Sequence, residues 1–241
     1  MNIKNLFISL FASLLVFVAP VNANQDTTSQ KIQDIADMLQ SHPELVDSLH
    51  GNLQAYIEQQ GQLKVVLTQN HDYLYNNDLQ PSIGNKEAPI TLVVFTDYSC
   101  PWCKKFDPEL YKLVENNPDT VRVINLYVPL KEQSSVNSAS FALNVWREKR
   151  SSYEEVHQLM VAKPGAHNLN SISKVAKNTD TTALMNASMK SDELINKNLE
   201  LFRALGMRGT PAMLIGDEMV SGYLDYDKLQ AIVDDKLSKL N

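Results

Sequence analysis

The sequence predicts an α/β fold with an inserted helical subdomain, preceded by an N-terminal helical extension. Three observations carry this expectation. An apolar, β-prone run over residues 90–96 ends in Cys100-Pro101-Trp102-Cys103 and opens into helical spacing, and a second β-like run follows at 121–128. A block of about 134–205 with helical apolar spacing separates these runs from a return to β character, and it is too long for a loop. Upstream of the first strand, apolar residues recur at helical intervals from Ile32 to Leu67.

Residues 1–23 read as an export signal: Lys4 supplies the positive start, residues 6–18 are apolar, and Val21-Asn22-Ala23 offers small residues for cleavage near Asn24. The apolar run is shorter than the ~20 residues a membrane span requires, which disfavours an anchor, and no later segment is apolar enough to span. The chain is therefore expected to be periplasmic, exported and free of a membrane span once the signal is removed.

Residues 24–76 read as the helical extension. Ile32, Ile35, Ala36 and Leu39 mark a short amphipathic helix. Ser41, with Pro43 and Glu44 behind it, reads as the cap of a second helix. Leu45, Leu49, Leu53, Tyr56, Leu63 and Leu67 then approximate a heptad seam, weakened by Gln60, Gly51 and Gly61. Two readings stand open: a self-association arm making a homo-oligomer, or a helix packed on its own catalytic domain. Residues 77–89, rich in Asn, Pro and Gly, read as a linker.

The catalytic domain is placed at 90–241. Its first strand is too continuously apolar for a half-wet edge and is expected at the sheet centre. The Cys-x-x-Cys turn then lies at the carboxyl end of that strand, where open α/β sheets carry reactive groups. A helix from Pro101 to about Val114 contains Pro108, which removes one backbone hydrogen bond. Strand, helix, strand in this order makes a parallel crossover. In the insert, helices are expected at 138–150, 152–161, 181–189 and 191–205. A hairpin turning at Gly216-Asp217 joins strands at 210–215 and 218–223, and Asp225 caps a final helix.

The chemistry rests on two cysteines, the only ones among 241 residues. Two thiols are too few for a structural zinc site or a disulfide framework, which leaves a reversible dithiol, a two-thiolate metal clip or an inert tight disulfide, and export lets a disulfide persist. Cys100, at a helix N-terminus, meets unsatisfied N–H groups and the positive end of the dipole, which favours thiolate and makes it the attacking sulfur. Cys103, one turn further in, resolves the mixed disulfide, and Pro101 suits the first helical position. Lys104 and Lys105 are candidate modulators or simply solvated. Trp102 offers an apolar face to a client or packs on the insert.

Other chemistries find little support. A formal charge of −6 leaves no basic field for nucleic acid. No phosphate loop or serine nucleophile elbow is present. His42, His50, His71, His157 and His167 form no ligand-spaced cluster with the cysteines and read as surface or satisfied residues. Met185 and Met189 read as one face of a packed helix. No cofactor and no metal site is implied.

Phe95-Thr96-Asp97-Tyr98-Ser99-Cys100-Pro101-Trp102-Cys103-Lys104, the later Arg208-Gly209-Thr210-Pro211 and the helical insert between them resemble the DsbA-like branch of the thioredoxin superfamily, from about Gly84 to Asn241. The upstream helices resemble the self-associating extension of the ScsC type. The resemblance implies a thioredoxin fold and a cis Pro211 facing the cysteines. It also implies that Thr210 pairs through its backbone with a substrate strand. Pro108 matches the helix-bending proline of thioredoxins. Val94 departs from the pattern, standing where many relatives carry a buried carboxylate. Asp97 is then expected to hydrogen-bond at the strand-to-helix turn, with direct proton transfer the lesser role.

The function expected is that of an enzyme, an exported thiol:disulfide interchange protein that oxidises, reduces or isomerises disulfides of cysteine-containing client proteins. A redox partner resets its Cys pair. A multimeric arm tilts the choice towards isomerase or oxidoreductase over dedicated oxidase. The alternatives are a copper-binding protein using the two thiolates, and a holdase chaperone.

Overall fold

The computed structural model describes residues 23–216 and 218–240; the expected leader at 1–23 lies outside them apart from Ala23, as does Asp217 of the hairpin turn. The chain divides into two compact units between Ile57 and Glu58.

The first unit holds α1 (Ala23–Ser41), a 3-10 turn at Pro43–Leu45 and the start of α2 (Val46–Gln69). Ser41 does not cap the second helix. It ends α1, where its hydroxyl donates to the Asp37 carbonyl oxygen, and His42 makes the break with non-helical φ and ψ of −134° and 68°. Pro43 disfavours helical geometry in the residue before it, so the break falls at His42. Ile32, Ile35, Met38, Leu45, Leu49, Leu53, Tyr56 and Ile57 are exposed.

The second unit begins within α2 and so takes in part of the stretch expected in the extension. Leu63, Val66 and Leu67 of α2, with Leu74 of α3 (His71–Tyr75), pack on one face of the sheet. The seam is therefore divided: Leu45 to Tyr56 stay exposed, whereas Leu63 and Leu67 serve the catalytic core.

The sheet has five strands in the order β1-β3-β2-β4-β5. β1 (Ser82–Gly84) lies inside the stretch read as a linker and pairs antiparallel with β3. Three residues give too brief a β pattern to stand out among turn residues. Gly84 is required there: φ is +89°, and a Cβ would come within 2.4 Å of the Val121 carbonyl oxygen. β2 (Ile90–Thr96) is central, parallel to β3 (Val121–Tyr127) and antiparallel to β4 (Ala212–Ile215), which pairs with β5 (Glu218–Ser221).

Alternation along β2 sends Leu92 and Val94 to one face and Val93 and Phe95 to the other. The first face is covered by α4 (Pro101–Asn116) and α9 (Tyr226–Ser238), through Phe106, Leu110, Leu113, Leu229 and Val233. α4 continues through Pro108, and Asp225 caps α9 by accepting from the Lys228 N–H.

The insert comprises α5 (Glu132–Glu148), α6 (Tyr153–Ala162), α7 (Leu169–Asn178) and α8 (Met189–Ala204). The helix expected at 181–189 is only a 3-10 turn at Thr182–Leu184, because Ser188 is extended and caps α8 through a reciprocal bond with Ser191. Met185 and Met189 consequently do not share a helix face. α7, unforeseen in sequence, is set by the same device between Asn168 and Ser171. α8 closes the second face of the sheet with Leu201 and Phe202, joined by Leu205 at its C-cap.

Candidate active site

β2 ends at Thr96 and the chain turns into α4 within four residues. Asp97 holds that turn. One carboxylate oxygen accepts from the Ser99 N–H (2.8 Å) and the other from the Leu130 N–H (3.1 Å) and the Ser135 hydroxyl (3.0 Å), while its carbonyl accepts from the Cys100 N–H (2.9 Å). Asp97 thus makes the turn contacts expected of it and also ties the turn to the start of the insert.

Cys100 is the N-cap of α4, extended at φ −90° and ψ 119°, and Pro101 opens the helix without an N–H to misplace. The Cys103 thiol, hydrogen-bonding to the Cys100 sulfur, is the main influence holding Cys100 down to about 5; the Cys103 N–H, the Thr210 side chain and the Trp102 N–H add to it against the cost of burial. Cys103 goes the other way, pushed up by burial and by the neighbouring Cys100. Both sulfurs are free thiols. As a thiol, Cys100 donates to the Thr210 carbonyl oxygen at 3.2 Å, a contact across 110 residues of chain, and the Thr210-Pro211 bond is cis.

Two different walls flank this first turn. On one side Trp102, Thr210, Pro211, Gly222 and Tyr223 line an open groove. Trp102 is 57% exposed and lies 6.1 Å from the Tyr223 ring, while the Lys105 ammonium sits 5.3 Å from the first ring and 4.4 Å from the second. Trp102 therefore faces the groove with Tyr223 beside it, and Lys105 braces both rings by cation–π attraction. Tyr223 had no sequence signal beyond an aromatic residue after a strand.

On the other side the insert closes over the buried sulfur. Lys104 donates to the carbonyls of Lys163 and Gly165, and burial, aided by Lys163, lowers its pKa to about 8. Lys104 is thus a clamp on the 163–165 segment rather than a solvated side chain. His157 is buried; Asp107, a carboxylate that can only accept, takes its Nε2–H at 2.8 Å, and Nδ1 lies 2.6 Å from the Tyr98 hydroxyl. Tyr98, Tyr127 and Tyr153 hydroxyls are linked in a row at 2.6 Å each. His167 is held down to about 4 by burial and bonds to the Met160 carbonyl oxygen. Both histidines are satisfied core residues. Val94 is buried in the apolar layer under α4. Among the described residues no three His, Cys, Asp or Glu side chains converge as metal ligands.

The arrangement pairs an ionisable sulfur beside a groove with a buried sulfur one turn behind it, which is the apparatus of thiol–disulfide exchange. The family model described as Thioredoxin matches residues 76–235. Disulfide bond formation protein D of Bacillus subtilis is 24% identical over 178 residues, spanning 66% of this chain and 77% of that protein. Among solved structures, Proteus mirabilis ScsC in a transitional conformation superposes with a TM-score of 0.69 at 38% identity, covering 91% of this chain and 100% of that one. A periplasmic thioredoxin-like protein from Salmonella enterica serovar Typhimurium gives 0.66 at 41% identity, over 70% of this chain and 95% of the other. The chain belongs to the thioredoxin family and is a thiol–disulfide oxidoreductase of its DsbA-like branch.

Proposed function

We propose that the protein is an exported, periplasmic thiol:disulfide interchange protein. It oxidises, reduces or isomerises disulfides of cysteine-containing clients through Cys100-Pro101-Trp102-Cys103, a multimeric arm favouring isomerase or oxidoreductase action over that of a dedicated oxidase. The observation that carries this reading is the division of labour between the sulfurs: Cys100 is held down to about 5 and Cys103 is pushed up. A stabilised Cys100 thiolate keeps the pair reduced, which suits repeated attack on wrong disulfides and equally makes the disulfide form a ready donor. A separate redox partner resets the pair.

The Cys100 thiolate attacks a client disulfide, forming a Cys100–client bond and releasing one client thiolate. Either a client thiolate attacks the client sulfur of the Cys100–client bond, forming a new client disulfide and releasing Cys100 as the thiolate so that the enzyme leaves unchanged, or Cys103 attacks Cys100, forms the intramolecular disulfide and releases the client reduced by two electrons. Trp102, Thr210 and Pro211 form the surface that meets the client, with Thr210 offering backbone groups to an extended strand. The exposed apolar residues from Ile32 to Ile57 support self-association of the N-terminal helices into a homo-oligomer, which would gather several Cys pairs around one client.

Cys103→Ser is expected to accumulate client adducts on Cys100 that reductant releases, and wild-type protein to restore activity to a scrambled disulfide protein. If no adduct forms and scrambled protein is not rescued, the reading fails. Removal of residues 24–57 is expected to reduce the solution mass to that of a monomer and to lower rescue while leaving Cys100 alkylation intact.

A further inference from the structure

Resolution requires Cys103 to lose its proton, yet Cys103 is 4% exposed, its pKa is raised by burial, and Val94 leaves no carboxylate on β2 beneath it. We propose that Asp107 is the proton acceptor for Cys103 and that His157, anchored by Tyr98, is the residue that positions it.

Cys103 and Asp107 are one turn apart on the same face of α4. Both line a small cavity of about 10 Å³, whose walls also include His157, Asp97 and Lys104. The other ionisable walls are committed. Asp97 already accepts three hydrogen bonds with its two carboxylate oxygens, and Lys104, which donates to two carbonyls, carries no acceptor when protonated. For Asp107, His157 is the one hydrogen-bond donor among the described residues, and it engages Oδ1 alone. Oδ2 is thereby left to take a proton.

The tyrosines set the geometry. With the imidazole neutral, the Tyr98 hydroxyl donates to Nδ1, which places the ring proton on Nε2 and aims it at Asp107. Tyr127 and Tyr153 extend this row, and Tyr111 stacks on the ring at 5.7 Å. The remaining charged groups nearby are Glu154, which acts on Tyr111, and Lys163, which acts on Lys104; His167 packs edge-on against Tyr98. Asp107 is 16% exposed and His157 2%, so the carboxylate connects a buried thiol to solvent.

In the step itself, Asp107 takes the proton from Cys103. The Cys103 electron pair forms the bond to Cys100, and the Cys100–client bond breaks with its pair leaving on the client sulfur. Asp107 then yields the proton to solvent. In the oxidising direction Asp107 takes a proton from solvent and passes it to Cys103 as that sulfur leaves. This rests on the exchange reaction proposed above.

The test mixes reduced full-length protein with glutathione disulfide, quenches with acid at set times, and separates reduced, mixed-disulfide and intramolecular-disulfide forms by intact mass between pH 5 and 9. In wild type the resolution rate is expected to rise less steeply than hydroxide concentration, because an acceptor within the protein takes the proton in place of hydroxide. In Asp107→Asn it falls about tenfold or more at pH 7 and climbs with hydroxide throughout, so mixed disulfide accumulates. His157→Gln shows a smaller fall with a shifted profile, and Asp107→Glu recovers part of the rate. Resolution at the wild-type rate in Asp107→Asn at every pH overturns the proposal. If the variants do not fold by circular dichroism, a wild-type rate that climbs linearly with hydroxide overturns it instead. Absence of both mixed and intramolecular disulfide in wild type defeats the exchange reaction itself, a result distinct from unimpaired resolution.

Discussion

The two sides of the first turn of α4 treat two identical thiols in opposite ways. On the groove side Cys100 receives hydrogen bonds from Cys103, Thr210 and helix N–H groups and is held down to about 5. On the insert side Cys103 lies among tyrosines, His157 and Asp107, with burial pushing its pKa up. A helix N-terminus provides the donors in both cases, but only the cap position has them unspent. The lesson is that the helix supplies the asymmetry and the insert amplifies it by drying the second sulfur.

The largest way to break this contrast is Cys100→Ser, which is expected to reduce disulfide exchange to the uncatalysed rate, measured with a fluorescent disulfide peptide. Phe106→Ala comes next. Phe106 is 1% exposed on the buried face of α4 and meets the Tyr223 ring at 6.1 Å, so the loss is about 3–5 kcal/mol in urea unfolding, with the Cys100 pKa rising as the turn loosens.

The third prediction concerns pH. Cys100 has a folded value lowered from 9.0 to about 5, so the stability it contributes to the reduced protein is fully present above the unfolded value and is lost as pH falls through about 5. Alkylation of Cys100 by iodoacetamide should therefore show a midpoint near 5, and reduced wild type should lose stability relative to Cys100→Ser between pH 9 and 5. A midpoint in the ordinary thiol range would erase the contrast between the sulfurs. The smallest effect is expected for Trp102→Ala, an exposed site: stability changes by about 0.5 kcal/mol or less, while KM for a peptide client rises.

What was legible in sequence was local. Pro101 at the first helical position, the apolar run at Ile90–Thr96, Asp225 as a cap and Gly216 before the tight turn each state their conformation within a few residues. Helix ends inside the insert were misplaced because their caps, Asn168 and Ser188, depend on serine partners that sequence patterns advertise weakly. β1 was hidden because its reason for being extended lies on β3.

The site divides along the same line. Cys100, Cys103 and Asp97 could be named from the turn they occupy. Thr210 and Pro211 were supplied by a family resemblance, since Gly209-Thr210-Pro211 by itself is only a turn. Tyr223 beside Trp102, and His157 against Asp107 from 50 residues away, could not be read at all.

The sequence by itself was enough to propose the reactive pair and its order of attack, because helix-terminal donors and one-turn spacing are properties of contiguous residues. Only the tertiary structure decided how far apart the two thiols are driven in acidity and which groups serve each of them. Burial and hydrogen bonding of that kind come from segments distant in the chain, and their strength depends on excluding water around a sulfur that sequence shows only as a letter.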